Sequence, residues 1–157
     1  VGYNFLSVSN IIPCSFDSNG NQIEQTELGY IKLQKEYSKF VQLLSCGKLF
    51  LSKWLTYGDD FHLTVKDITS FSFPFDEISV TDKDTLDSLY EEFCRKLPST
   101  IQYKLNAGIK VGTFNTSTLW DITDKSDMIF LSYLTDNPLL VHEVIEDHLA
   151  KCIISDK

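Results

Sequence analysis

Apolar and polar positions alternate loosely over Val1–Ser9 and again over Ile11–Asp17 around Pro13, the two-residue period of an extended chain. Ser18-Asn19-Gly20-Asn21 follows, and because Asn and Gly accept positive φ it predicts a hairpin turn. Another strand is expected over Leu28–Leu33. From Gln34 to Tyr57 the period lengthens to that of a helix, with Tyr37, Phe40, Val41 and Leu44 on one apolar face and Phe50, Leu51, Trp54 and Leu55 on another. Cys46-Gly47 separates them, which predicts two consecutive helices or one bent helix. Gly58 is expected to end the second in the left-handed conformation.

After the turn Tyr57-Gly58-Asp59-Asp60, a polar segment with His62 leads to a short aromatic strand closed by Pro74. Thr81–Leu97 is the clearest helix, with Asp82, Asp84 and Asp87 near its start, Arg95 and Lys96 at its end, and a stripe of Leu86, Leu89, Tyr90, Phe93 and Leu97 to bury. Ile109–Leu119 alternates again. Asp124–Leu134 and Pro138–Cys152 complete the pattern as helices, the latter with Val141, Val144, Ile145, His148 and Leu149 inward. Strands and helices do not alternate strictly, which predicts an α+β fold: one domain, a small mixed or antiparallel sheet and several packed helices.

Composition agrees with a packed core. The 157 residues are 43% hydrophobic and 13% aromatic, enough to bury about 70% of the surface of the unfolded chain. No apolar run approaches the ~20 residues of a membrane span. The first residue is Val1 rather than Met, which points to a piece cut from a longer protein. Cys14, Cys46, Cys94 and Cys152 are widely and unequally spaced, which predicts reduced, mostly buried thiols in a cytoplasmic protein rather than zinc or a disulfide framework.

The net charge of −8 argues against a polyanionic partner, but its distribution does not. Lys32, Lys35, Lys39, Lys48 and Lys53 share the window Leu28–Gly58 with one acid, Glu36. Arg95, Lys96, Lys104 and Lys110 share Phe93–Trp120 with none. If the windows meet in space, an acidic protein carries one neutral-to-basic face; an ordinary solvated helix surface is the competing account.

Enzymatic motifs are missing. The glycines match neither GxGxxG nor GxxxxGK[ST], and GxSxG is absent. Asp59-Asp60 with Lys66 is the nearest approach to a nuclease cluster and is better explained as a helix-end turn. His142, Glu143, Glu146 and Asp147 are expected on a solvated helix face, so no metal site is predicted. A polar segment, Lys110-Val-Gly-Thr-Phe-Asn-Thr-Ser-Thr118, remains. Gly112 permits close backbone approach by another molecule, Lys104 and Lys110 suit phosphates, and Thr113, Asn115, Thr116 and Ser117 suit base edges or phosphates.

Four segments in order carry a resemblance. Leu43-Leu44-Ser45-Cys46-Gly47-Lys48-Leu49-Phe50 with Lys53-Trp54 resembles the "LLNSxLFxWW" stretch in the C-terminal specificity region of adenine-specific DNA methyltransferases of type II restriction–modification systems. Tyr57 to Thr64, with Lys66-Asp67-Ile68 and Phe73-Pro74, resembles the continuation "YGDxxHLTxxDI…FP". Gly112-Thr113-Phe114-Asn115 is similar to "GNYN", and Thr123-Asp124-Lys125-Ser126-Asp127 to "TDxxD". The likeness covers about residues 40–150, but Cys46-Gly47 stands where the pattern has Asn-Ser. The FxGxG-like and NPPY-like elements that bind S-adenosylmethionine and methylate a flipped adenine are absent, since Asn137-Pro138-Leu139-Leu140 lacks the second proline and the aromatic.

The resemblance implies a target-recognition domain over 1–157, excised from a larger methyltransferase or fused restriction–methylation enzyme. Such a domain binds double-stranded DNA and presents the target adenine to a separate catalytic methyltransferase domain. No catalytic residue or cofactor is then expected in this chain, S-adenosylmethionine belonging to the catalytic domain. The expected DNA contacts are Lys104, Lys110, Thr113, Asn115, Ser117 and Lys125, with Tyr57, Asp59 and His62 shaping a supporting turn. The alternative is a protein-interaction module whose aromatic surface of Phe50, Trp54, Phe73 and Phe75 packs on a catalytic partner without touching DNA.

Overall fold

A computed structural model describes residues 5–26, 28–58 and 62–154. In chain order they form β1 (Ser15–Phe16), β2 (Gln22–Ile23), α1 (Lys35–Cys46), α2 (Lys48–Tyr57), α3 (Val65–Thr69), α4 (Val80–Lys96), β3 (Ile101–Asn106), β4 (Ile109–Phe114), α5 (Trp120–Ser132) and α6 (Pro138–Ile154). Short 3₁₀ turns occupy Phe75–Glu77, Leu97–Thr100 and Thr116–Leu119. The four strands make one antiparallel sheet in the order β2-β1-β4-β3, so the fold is a single α+β domain.

The helices hold the core. Phe40, Leu43 and Leu44 of α1 meet Leu86, Leu89 and Phe93 of α4 and Ile122 and Phe130 of α5, all buried. Phe50, Leu51 and Trp54 of α2 pack with Leu131 of α5 and with Ile145 and Leu149 of α6. Phe50 and Trp54 are thus interior residues, 1% and 2% exposed. Phe73 packs edge-on against Phe130 (5.2 Å) and tilted against Phe75 (4.8 Å). The four aromatic rings that the interaction-module alternative needs as a surface are turned into the core or half-buried against it.

Several expected elements take another form. Leu28–Leu33, Glu27 before it lying outside the described residues, pairs with no strand; Ile31 packs on the Trp54 cluster while Tyr30 is exposed. The aromatic segment 71–75 pairs with no strand: Phe71, Phe73 and Phe75 share one face, as the two-residue period requires, but that face packs on the helical core and a 3₁₀ turn begins at Phe75. In front of it stands α3, which the sequence expectation omitted. Its signal is a capping box, in which Asp67 N–H donates to Thr64 Oγ1 (3.2 Å) and Thr64 N–H donates to Asp67 Oδ2 (2.7 Å). The turn Ser18–Asn21 forms as expected, with Gly20 at φ 82°. Gly58 is extended (φ −81°, ψ −178°) rather than left-handed, and it is glycine for room: a Cβ there would meet the Trp54 carbonyl at 2.6 Å. Of the cysteines only Cys46 is buried; Cys14 is exposed, and Cys94 and Cys152 are half-buried.

Candidate nucleic-acid interface

The β3–β4 hairpin stands out from the helical body. Its base is anchored where Ile101 faces Phe114, which is buried, and where Asn115 N–H donates to the Thr100 carbonyl (3.0 Å). The turn between Asn106 and Ile109 has two residues, Ala107 at φ 49° and Gly108 at φ 84°. Positive φ at both central positions is the signature of a type I′ turn, whose twist matches that of the strands. Residues 102–110 are all exposed, so beyond its base the hairpin is a ribbon solvated on both faces. Cross-strand partners share a face. Lys104 pairs with Val111 and Asn106 with Ile109 on one face; Tyr103 pairs with Gly112 and Leu105 with Lys110 on the other.

The second face carries a small aromatic platform. Phe16 of β1 lies 5.9 Å from the Tyr103 ring, and the Lys110 ammonium stands 5.1 Å over that ring. Gly112 is needed for close approach, but by this chain and not by another molecule. A Cβ there would strike the Cys14 carbonyl oxygen, and Gln25 Nε2 ties the two segments by donating to the Pro13 carbonyl (3.0 Å) and the Gly112 carbonyl (2.8 Å).

The expected contact residues do not form one patch. Lys104, Lys110 and Thr113 lie on the hairpin, Thr113 half-buried opposite Gln102. Asn115 and Ser117 sit at its base, where Asn115 Oδ1 accepts from Ser117 N–H (3.2 Å) and Ser117 Oγ (2.5 Å) and so caps the 3₁₀ turn. Lys125 is exposed on α5, on the side where its charge helps Lys96 hold Glu92 below the ordinary carboxylate range. Tyr57 is exposed at the end of α2 and His62 is exposed before α3; Asp59 lies outside the described residues. Tyr57 and Gly58 border a pocket of about 120 Å³ lined further by Phe50, Trp54, Lys53 and Asp67.

Acids from other segments reach into the two basic windows. Lys39 pairs with Asp87 (2.5 Å), Lys96 with Glu92 (2.8 Å), and Lys48 with both Asp124 and Glu146 (2.8 Å each). Among the described residues Lys104 and Lys110 have no acidic partner, so the hairpin keeps its positive charge.

A second constellation joins two segments that the sequence marks separately. Lys48, at the first position of α2, lies 5.1 Å over the Trp120 ring and between Asp124 of α5 and Glu146 of α6. Burial pulls its ammonium down, yet the two carboxylates together hold it above its ordinary range, and Lys48 holds Glu146 below its own. His142 Nε2 stands 3.6 Å from Asp124 Oδ1. His142 is therefore buried rather than on the solvated face expected for it, and Val144, expected inward, is 61% exposed. One turn along α5, the buried Asp127 caps α2 by accepting from Leu49 N–H (3.0 Å). Burial pushes the Asp127 carboxyl up to about 8; Asp124 adds to this, against the backbone donors and Lys48.

Asp124, His142 and Glu146 are a metal-ligand type set, their donor atoms within 4.8 Å of one another. The Lys48 ammonium stands among those donors and supplies the compensating cation, so the cluster is an internal ion network between helices. The i, i+3 spacing of Asp124 and Asp127 and the i, i+4 spacing of His142 and Glu146 were the available signals, since each spacing puts two side chains on one helix face. No helix of the described residues is long and apolar enough to cross a membrane.

No family model, curated protein or solved structure matches this chain.

Proposed function

We propose that this chain is a DNA sequence-recognition domain of an adenine-specific DNA methyltransferase of a restriction–modification system. In this reading it docks duplex DNA and presents the target adenine to a separate catalytic domain, where S-adenosylmethionine binds. The protein then works in the cytoplasm, and the chain alone has no turnover. The supporting observation is the hairpin: an exposed ribbon with Lys104 and Lys110 unneutralised and no acid between Phe93 and Trp120, on a protein of net charge −8 whose Lys39, Lys48 and Lys96 are paired with acids. Phosphate neutralisation by unpaired lysines is the general source of duplex affinity. The ion network adds support, because it physically joins the "LLNSxLF"-like and "TDxxD"-like segments of the resemblance.

The test is titration of a fluorescent duplex with the protein over a salt series. Lys104→Glu with Lys110→Glu should weaken binding and reduce the slope of log K against log salt by about two, one unit for each phosphate that a lysine no longer neutralises. Unchanged affinity and slope would sink the reading. Incubation of the chain with labelled S-adenosylmethionine and duplex should transfer no methyl groups; transfer would overturn the assignment of chemistry to another domain.

A further inference from the structure

We propose that the β3–β4 hairpin enters the DNA major groove tip first, with Asn106 bonding an adenine edge, Leu105 and Ile109 touching thymine methyl groups, and Lys104 and Lys110 holding the phosphate walls. This rests on the DNA-recognition reading and relocates base recognition from the base of the hairpin to its tip.

Three observations carry it. Lys104 and Lys110 project from opposite faces of the ribbon, which suits an arm between two phosphate walls and not a ribbon laid flat on one of them. A two-stranded ribbon with side chains on both faces is about 10 Å thick, which fits the ~12 Å major groove and not the ~6 Å minor groove. Beyond the pairing of Phe16 with Lys110 no strand flanks the hairpin among the described residues, which leaves Asn106–Ile109 as the part free to reach toward the floor of the groove.

The tip has the chemistry for an A·T pair. The exposed Asn106 amide has no hydrogen-bond partner among the described residues, and a side-chain amide is the geometric match to adenine N6 and N7. Leu105 is 79% exposed and Ile109 39%, one on each face beside that amide, and the thymine methyl is the apolar feature of the same pair. Ala107 and Gly108 add no bulk, and nothing lies within 4 Å of a Cβ at Gly108, so the turn can approach base edges closely. By contrast, Asn115 Oδ1 is engaged in capping its own turn.

The experiment is selection of binding sites by the protein from a randomised duplex pool at low salt, followed by titration of the selected duplex. Asn106→Ala should keep the bulk duplex affinity and salt slope but lose about 5- to 150-fold discrimination at one A·T position. Uracil in place of thymine there should weaken the wild type and not Leu105→Ala/Ile109→Ala. These residues are exposed, so the variants leave the core intact, as circular dichroism would check. If the tip variants select the wild-type motif with full discrimination while the double lysine reversal weakens binding, the tip inference fails and the DNA reading stands. If the wild type binds no duplex, or the lysine reversal changes nothing, both fail. A dimer in sedimentation that Leu105→Ala dissociates would assign the edge strand to self-pairing and also overturn the tip inference.

Discussion

The Asp127 carboxylate fills the space that a Cβ on Gly47 would need: Oδ2 stands 2.7 Å and Cγ 2.8 Å from that position. Gly47 has φ −86° and ψ 168°, a conformation open to any residue, so it is glycine because of a neighbour eighty positions along the chain and not because of its own backbone. The reward is a cap. With no side chain of its own, Gly47 leaves the first turn of α2 to Asp127, which accepts the Leu49 N–H.

Gly47→Ala is therefore expected to destabilise the protein by about 1–3 kcal/mol through overpacking. In an Asp127→Ala background, where the clash is gone, the same substitution should cost much less. Urea denaturation of the four proteins of this double-mutant cycle measures the coupling; strict additivity would show that the two residues do not interact as described.

The buried Asp127 carboxyl has a folded pKa raised by burial from 3.8 to about 8, so between those values the folded state holds a proton that the unfolded state has released. This contribution is fully present below about pH 4 and is lost as pH rises through about 8. Asp127→Asn, which keeps an oxygen for the Leu49 N–H, should flatten that fall in stability between about pH 4 and 8. Denaturation midpoints with the same pH dependence in both proteins would contradict it.

Lys48 compensates two carboxylates beside a buried histidine, and its side chain is only 12% exposed. Lys48→Met should cost about 1–3 kcal/mol, between the near-zero value of exposed pairs and the larger loss on breaking fully buried ones. Lys96→Met, which breaks a surface pair with Glu92, should produce no measurable change. Thermal or urea unfolding distinguishes the two; equal effects would place Lys48 in an ordinary surface pair.

The Cys46 thiol donates to the Val8 carbonyl (3.2 Å) and burial pushes it up to about 12, whereas Cys14 is exposed. At pH 8 a thiol reagent should modify Cys14 promptly and Cys46 only as fast as the protein unfolds. Prompt modification of Cys46 in the native state, identified by mass spectrometry, would refute its burial in the helical core.

Much of the helical framework was legible in the chain. The apolar faces of α1 and α2 and the interruption at Cys46-Gly47 mark those helices, and the acidic start, basic end and leucine stripe mark α4, because helix signals are local and repeat every turn. α5 begins at Trp120 rather than Asp124, since a 3₁₀ turn capped by Asn115 leads into it. β3 was missed although Ile-Gln-Tyr-Lys-Leu-Asn alternates, and its partner β4 was recognised without it. Strand formation depends on a neighbour to bond to, and Leu28–Leu33 shows the converse, a strand-like pattern with no neighbour.

By itself the sequence determined the α+β class, the positions of α1, α2, α4 and α6, and the acid-free window Phe93–Trp120, all properties of composition and of spacing within one segment. Only the tertiary structure decided which lysines stay unpaired, that Gly47 makes room for Asp127, that Gly112 makes room for Cys14, and that His142 joins Lys48, Asp124 and Glu146. Those relations join residues dozens of positions apart. They arise when side chains compete for the same volume and the same counter-charge, and no local periodicity encodes that competition.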